Sequence, residues 1–485
     1  MRSDRPDVRA PEQARAPARA FAALVFAALA LSLTPFAARA AVFDAESFTL
    51  GNGLRVVVVE NDRAPVVTQM LMYKAGSIDE MPGKSGVAHV LEHMMFKGTE
   101  EVGPGEFSAM VSRNGGQDNA FTSYDYTGYY QSVASDRLAL IMRLEADRMR
   151  NLALDDAQFQ PERQVVIEER NQRVENEPSA MLNEEAAPAL YYNHPYSQPI
   201  IGWRHELEAM KLADLRHFYQ RFYAPNNAVL VIVGDTTVEE VRDLAETYYG
   251  PIEPSEIGRT APLMEPPHDS AHVVTLRDER VRQPSWSMRK LAPSYGTDGP
   301  TDQVYALQVL MDIVGGGNSA RLYRALVVEQ GVAVGAGGWY SETDRGPGTI
   351  GLYAQPAEGR SIDAVERAAR AVIADVIENG VTEDEVRRAI TRLQDSAATA
   401  RDSLMGPARV IAQGLSVGLD LDDIESWPER IGAVTVAQVN AAARDVLGAP
   451  GEVTTRLLGP AAENGAAGQS DRSDQADREQ KKEPS

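Results

Sequence analysis

The sequence predicts an α+β fold with two similar domains, each a mostly antiparallel sheet packed with helices. The chain has 485 residues, which is too long for one hydrophobic core and suits two domains of roughly 200 residues. Both expected domains begin alike, with two β-rich runs around a proline (Pro65 and Pro284) and then a helical segment. Strand pairs followed by helices favour antiparallel or mixed sheets over a doubly wound parallel sheet.

The first 40 residues have the pattern of a signal peptide. Five arginines precede an apolar run at residues 21–33, and Ala38-Arg39-Ala40 forms a small-x-small cleavage signal. The apolar run is too short to cross a bilayer, which takes about 20 residues. We therefore expect cleavage before Ala41 and a periplasmic protein, with an uncleaved membrane anchor as the weaker alternative.

The rest of the chain divides at a proline-rich segment. Five prolines fall within residues 251–270, where large apolar side chains are few, as in a linker. We expect an N-terminal domain at 41–250 and a C-terminal domain at 271–459. The tail, 460–485, has no aromatic residue and, apart from proline, no aliphatic side chain larger than alanine, so we expect it to be disordered.

Charge and composition narrow the possible functions. The formal net charge of -22 argues against nucleic acid as a partner, because phosphate binding requires a basic surface. The chain contains no cysteine, so it forms no disulfide. Any metal would have to be bound by histidine, aspartate or glutamate.

Residues 87–96 contain two of the seven histidines, with a glutamate between them. Residues 87–97 lack proline and glycine, so we expect a helix that continues to Gly98. On a helix, His89 and His93 project from one face and Glu92 leans to the same side. Two neutral imidazoles at this spacing can bind one zinc ion, and Glu92 could accept a proton from water there. The alternative is an ordinary surface helix.

A catalytic zinc site usually has a third protein ligand from elsewhere in the chain. The charged segment 161–178 is expected to be helical. Its Glu162 and Glu169 lie two turns apart on one face, whereas Glu168 points elsewhere. By itself, such an acidic face is more often simply solvated.

The complete pattern resembles the pitrilysin-like (M16) zinc peptidases, in the branch of the bacterial processing proteases and mitochondrial processing peptidase. The resemblance rests on His89-x-x-Glu92-His93, on Glu169, and on Glu162 seven residues before it. Four further segments share it: "NGGQDNAFTSYDYTGYY" (114–130), "HPYSQPIIG" (194–202), "FYAPNNAVLVIVGD" (222–235) and "GGGNSARLYRAL" (315–326). It covers nearly all of residues 45–458.

The resemblance implies a particular metal site. His89, His93 and Glu169 would bind one zinc ion per chain. Glu92 would be the general base, and Glu162 would be a supporting carboxylate that orients a ligand.

The resemblance also implies how a substrate binds. The two domains would face each other as a clam around a chamber that admits peptides or unfolded segments. The strand containing Asn119, Ala120 and Thr122 would be an open sheet edge that pairs with an extended substrate. Without the resemblance, an interior strand would be an equal alternative. The expected activity is that of an exported zinc endopeptidase.

One departure from the family pattern bears on partners. Active relatives carry an Arg and a Tyr seven residues apart in the second domain, where Val327 and Val334 stand here. Valine cannot donate a hydrogen bond. Arg321, Arg324 or Tyr340 could compensate. We therefore expect a homologous partner subunit that lacks the zinc motif, or else a homodimer. The alternative function is a non-catalytic assembly subunit of the same family.

Overall fold

The computed structural model describes residues 41–258 and 263–460. The expected signal peptide, residues 259–262 of the expected linker and the tail beyond residue 460 lie outside the described residues. Within the described ranges, no helix combines the length and apolar character needed to cross a membrane.

The described strands form two sheets. In chain order they are β1 (Glu46–Thr49), β2 (Arg55–Glu60), β3 (Val66–Tyr73), β4 (Gln117–Thr122), β5 (Thr127–Ala134), β6 (Ala228–Gly234), β7 (Ala271–Arg277), β8 (Ser285–Ala292), β9 (Ala333–Ser341), β10 (Gly348–Pro356) and β11 (Glu452–Leu458). The first sheet has the order β1-β2-β6-β3-β5-β4, and the second has the order β7-β11-β8-β10-β9.

The two sheets repeat one topology. Each contains a single parallel pair, β2 with β6 and β7 with β11, and all other neighbours are antiparallel. If β1 is set aside, the strands of the first sheet correspond one by one to those of the second. The predicted fold class of two similar, mostly antiparallel α+β units is therefore confirmed.

Helices surround both sheets. They are α1 (Val87–Met94), α2 (Glu106–Arg113), α3 (Leu138–Asn151), α4 (Asp156–Arg170), α5 (Pro178–Leu190), α6 (Arg204–Ala209), α7 (Leu212–Phe222), α8 (Val238–Tyr248), α9 (Tyr295–Asp298), α10 (Asp302–Gly315), α11 (Arg321–Tyr323), α12 (Ile362–Asn379), α13 (Glu383–Ala400), α14 (Met405–Val417), α15 (Leu421–Glu425), α16 (Trp427–Gly432) and α17 (Val436–Ala442). Short π-helical turns follow α4, α11 and α17.

Each half of the chain lends a helix to the sheet of the other half. Helix α14 packs on β3 and β6, where Ile411 and Leu415 join the apolar cluster that contains Met70 and Val231. Helix α5 packs on β7 and β11 of the second sheet. Strand β6, "AVLVIVG", is buried along its whole length, as expected for a central strand covered on both faces.

A polar cluster also joins the two halves. Arg345, between β9 and β10, pairs with Asp79 at 2.9 Å, and its backbone N–H donates to Asp125 at 3.0 Å. The Tyr196 hydroxyl donates to Asp125 and accepts from the Gly346 N–H at 2.9 Å. These bonds fix the turn between β4 and β5, and thus the position of β4.

Candidate metal centre

Helix α1 holds His89, Glu92 and His93. At its N-terminus, the Glu80 carboxylate accepts hydrogen bonds from the backbone N–H groups of Gly86 and Ala88, at 3.0 and 2.8 Å. These bonds satisfy donors that a helix start leaves free. The helix ends at Met94 rather than continuing to Gly98 as expected, because the Lys97 N–H bonds the Met94 carbonyl in a tighter turn.

Gly86 permits the close approach of the chain that covers this helix. Its φ is +88°, and a Cβ there would lie 2.7 Å from the carbonyl oxygen of Ile201. Any larger residue would both strain the backbone and push this covering segment away.

Helix α4 places Glu162 and Glu169 opposite the histidines. It packs against α1 and begins at Asp156, five residues before the expected Pro161, with Asp155 as its N-cap. Glu162 is 8% exposed, and both glutamates contact the histidines, as their spacing of two turns predicts. A π-helical turn, Asn171–Glu175, follows directly; such turns often occur beside functional sites.

Three side chains converge at distances suited to a metal. His89 Nε2 and His93 Nε2 lie 3.7 and 3.3 Å from Glu169 Oε2. All three ligand atoms fall within 4.8 Å of one another. A tetrahedral zinc site with ligand bonds of about 2.0–2.1 Å places ligand atoms about 3.3 Å apart.

The buried oxygen of Glu169 supports this assignment. Its Oε2 is buried and faces His93 Nε2 at 3.3 Å, so without a metal the protonated His93 is the cation beside it. An unsatisfied buried carboxylate oxygen is costly unless a cation binds it. The donor set of two imidazoles and one carboxylate therefore fits zinc.

Two cations, Lys97 and Arg173, orient the carboxylates of Glu162 and Glu169. Neither of these cations was identified from the sequence. Glu162 bonds His93 Nδ1 through Oε1 at 2.9 Å and Lys97 Nζ through Oε2 at 2.5 Å. Arg173 Nε bonds Glu169 Oε1 at 3.0 Å, which leaves Oε2 for the histidines. Lys97 and Arg173 each follow a site residue by four positions, and this spacing was the available signal.

The histidines differ in protonation when no cation is bound. Burial and the charge of His93 lower the pKa of His89 to about 4. Burial also lowers the pKa of His93, but the Glu162 hydrogen bond and the Glu169 carboxylate outweigh this effect and raise it to about 9. Zinc would have to displace the His93 proton, because metal ligands must be deprotonated.

Glu92 lies between the helix and the sheet edge. Burial raises its pKa, and the hydrogen bond from Thr122 opposes this shift. Thr122 Oγ1 donates to Glu92 Oε2 at 2.5 Å, which orients the carboxylate and ties it to β4.

Strand β4 is the last strand of its sheet. It is therefore an open edge strand and not an interior strand, the alternative that the sequence left open. The Ala120 N–H donates to the Asn119 side chain at 2.8 Å instead of to β5. Ala120 therefore directs its backbone groups to the free edge. Asn119, Ala120 and Thr122 all line the same cavity as the three metal-binding side chains.

That cavity, of about 1060 Å³, is lined by residues of the first half alone. In the second half, Val334 is 55% exposed and Val327 packs against the core. The three side chains that could compensate all have partners within the second half. Arg321 binds Glu385, Arg324 binds Glu329, and the Tyr340 hydroxyl donates to the Pro293 carbonyl.

Two family profiles match the chain. The one described as Insulinase (Peptidase family M16) matches residues 55–203, and the one described as Peptidase M16 inactive domain matches residues 209–393. The first range contains the whole candidate metal centre.

Named zinc proteases are similar in sequence. Zinc protease PqqE of Helicobacter pylori is 35% identical over 291 residues, which cover 59% of this chain and 65% of PqqE, just under two thirds of its length. A protein of Mycobacterium leprae described as an uncharacterized zinc protease is 30% identical over 409 residues, covering 82% of this chain and 88% of that protein.

Solved structures share the fold. The crystal structure of a protease from Helicobacter pylori matches with a TM-score of 0.80 and 28% identity, covering 85% of this chain and 99% of that one. The periplasmic protease PqqL from Escherichia coli matches with a TM-score of 0.72 and 20% identity. That match covers 86% of this chain but 48% of PqqL, and it concerns the fold alone.

Proposed function

This chain belongs to the M16 family of zinc peptidases, and we propose that it is an exported zinc endopeptidase that hydrolyses peptides or unfolded protein segments. The observation that carries the proposal is the convergence of His89, His93 and Glu169, whose ligand atoms lie close enough together to bind one metal ion. Glu92 and an open sheet edge lie beside them. Export rests on the pattern of residues 1–40.

The three side chains would hold zinc through His89 Nε2, His93 Nε2 and Glu169 Oε2. A bound zinc ion supplies a Lewis acid that polarises the scissile carbonyl and lowers the pKa of water. Glu162 holds the His93 Nδ1–H, so that Nε2 keeps its lone pair for the metal. Arg173 restricts Glu169 to one free oxygen.

Glu92 would move the proton. Its Oε2 is held by Thr122, so Oε1 is the free atom that would accept a proton from the attacking water. The same carboxyl would then donate this proton to the leaving amine. Partial burial, which raises its pKa, makes the carboxylate a stronger base.

Strand β4 would bind the substrate backbone. An extended peptide that pairs with β4 would accept from the Ala120 N–H and displace the Asn119 side chain from it. Backbone pairing of this kind recognises an extended chain with little regard to its sequence. Thr122 would couple the position of the peptide to that of Glu92.

A second subunit would complete the site. The cavity receives no described residue from the second half, and the three candidate donors there, Arg321, Arg324 and Tyr340, bond other groups of that half. The chain matches about half the length of PqqL, so a second chain of similar size could take the place of the remainder. We propose a homologous chain without the zinc motif, with a homodimer as the alternative.

Zinc content and hydrolysis of a quenched fluorescent peptide test the proposal. The purified chain from Ala41 should bind about one zinc ion, and His93→Ala should abolish this binding. Glu92→Gln should retain zinc and lose hydrolysis, because the amide cannot accept the proton. Glu168→Gln, at an exposed position on α4 that lines the same cavity, is the matched control for the metal and should retain zinc.

The outcome distinguishes the alternatives. Zinc binding without hydrolysis, even with the homologous partner present, would favour the non-catalytic assembly subunit. Hydrolysis by Glu92→Gln at the unmodified rate would refute the assignment of the base. The mass of the exported form tests cleavage, since an intact N-terminus in the membrane fraction would favour an anchor.

A further inference from the structure

A second cavity, of about 290 Å³, is lined in part by the same chain segment as the cavity of the metal centre. Its walls come from α5, from the chain that follows α5, and from β8, β9 and β10. Gln198 and Pro199 line it, and the next two residues line the cavity of the metal centre. Tyr124, two residues beyond β4, also lines it. The same chain segments therefore border both cavities.

Arg289 gives this second cavity a cation without a counter-ion. Its Nη2 donates to Asn183 Oδ1 at 2.7 Å, but no carboxylate of the described residues forms an ion pair with it. Glu184, one of the two acidic residues that line the cavity, is bound by Arg170 at 2.6 Å. Burial lowers the pKa of Arg289, as expected for a cation removed from water without a carboxylate.

Asp344 gives it a carboxyl group that also lacks a partner, and its raised pKa keeps this group protonated near neutral pH while the cavity is empty. Within the described ranges, its side chain makes neither a hydrogen bond nor an ion pair. Burial, together with the charges of Asp125 and Glu342, raises the pKa of Asp344 to about 8. The adjacent Arg345 cannot relieve it, because it pairs with Asp79.

Arg289 and Asp344 line one cavity together with Tyr124 and Tyr191. Burial raises the pKa of both Tyr124 and Tyr191, and the charges of Arg289 and Asp344 act on both phenols in opposite directions. Tyr191 bonds Thr349 at 2.7 Å. Aromatic rings, including that of Trp339, supply the apolar walls.

We propose that this cavity binds a short zwitterionic peptide, whose carboxylate pairs with Arg289 and whose ammonium pairs with Asp344. A bound ammonium favours the carboxylate form of Asp344, so binding near neutral pH releases the Asp344 proton. A simple anion would pair with Arg289 alone, and a simple cation would pair with Asp344 alone. One ligand with both charges satisfies both groups, and the hydroxyl of Tyr124, which also lines the cavity, can bond a peptide group. The inference goes beyond the proposed function and does not depend on hydrolysis at the metal centre.

Calorimetric titration with dialanine and trialanine tests the proposal, with the full chain carrying Glu92→Gln so that no peptide is consumed. Each peptide is compared with its N-acetylated and C-amidated forms. Because a hydrogen bond to a charged group contributes about 1.5–3 kcal/mol, each block should weaken binding about 10-fold or more. In Asp344→Asn, N-acetylation of the peptide should no longer weaken binding. In Arg289→Met, C-amidation should no longer weaken binding.

Matched variants and the blocked peptides make the result decisive. Arg282→Met, at an exposed arginine that does not line this cavity, should bind as the parent does. If Arg289→Met fails to fold, two measurements still test the proposal: binding of the blocked peptides to the parent chain, and binding of the free peptides to Arg289→Lys. No binding of either free peptide, equal binding of free and doubly blocked peptides, or the same loss in Arg282→Met would each overturn the proposal.

Discussion

Replacing Glu162 by glutamine should weaken zinc binding without abolishing it. Glu162 accepts from His93 Nδ1 at 2.9 Å and from Lys97 Nζ at 2.5 Å. Glutamine offers one oxygen for these two donors, so its amide N–H₂ must face either the imidazole N–H or the ammonium. The His93 imidazole would then be held less firmly in its orientation, and it would be less basic.

The expected loss of zinc affinity follows from this orienting role. Loss of a carboxylate that supports a metal-bound histidine typically costs 10–100-fold in metal affinity, which corresponds to about 1.4–2.8 kcal/mol. Removal of a ligand should cost much more, since only three protein ligands are available. The zinc affinity of Glu162→Gln should therefore lie between that of the unmodified chain and that of His93→Ala.

Competition for zinc against a chelator of known affinity gives the dissociation constant, and thermal melting verifies the fold. Glu168→Gln is the matched control for zinc affinity, because the Glu168 carboxylate accepts hydrogen bonds from the Asn171 and Gln172 side chains and not from a histidine. An unchanged dissociation constant for Glu162→Gln, or an equal loss in Glu168→Gln, would refute the orienting role.

Three further outcomes are expected. Arg148→Met should lower the free energy of unfolding in urea by about 3–5 kcal/mol, because Glu145, fully buried and bonded at 2.6 Å, loses its cation; adding Glu145→Gln should restore much of the loss. The folded state holds the Asp344 proton up to about pH 8 and the unfolded chain up to about pH 4, so stability should fall between these values as pH rises. Asp344→Asn should flatten this fall in chemical denaturation, and an unchanged profile would contradict the pKa shift. Val327→Arg combined with Val334→Tyr should raise peptide turnover by the isolated chain about 10²-fold, and no gain would contradict the missing-donor argument.

Local spacing made the core of the candidate site predictable. On a helix, positions four apart share a face, so the sequence placed His89 and His93 together before any tertiary contact was known. The two-turn spacing of Glu162 and Glu169 likewise put both on one face. Spacing did not reveal which glutamate faces both histidines and which supports one of them, because that depends on how α4 packs against α1.

Lys97 and Arg173 show where sequence reasoning stopped. Each lies one turn beyond a site residue, but exposed helices carry many such cations that bind nothing in particular. Only the packing of α1 against α4 brings Lys97 to Glu162, at 2.5 Å. The role of a charged side chain depends on its partner: Lys97 meets a partner that is distant in sequence, and Arg173 orients Glu169 only because packing has already turned Glu169 toward the histidines.

The sequence by itself determined the fold class of a duplicated, mostly antiparallel α+β unit and the residue types of the metal centre, since periodicity and spacing act over a few residues. The tertiary structure decided which distant groups meet: the exchange of α5 and α14 between the halves, the edge position of β4, and the cavity that holds Arg289 and Asp344. Those two residues are 55 positions apart and belong to no common motif. Long-range packing alone brings them into one cavity, because burial and charge pairing depend on the whole fold.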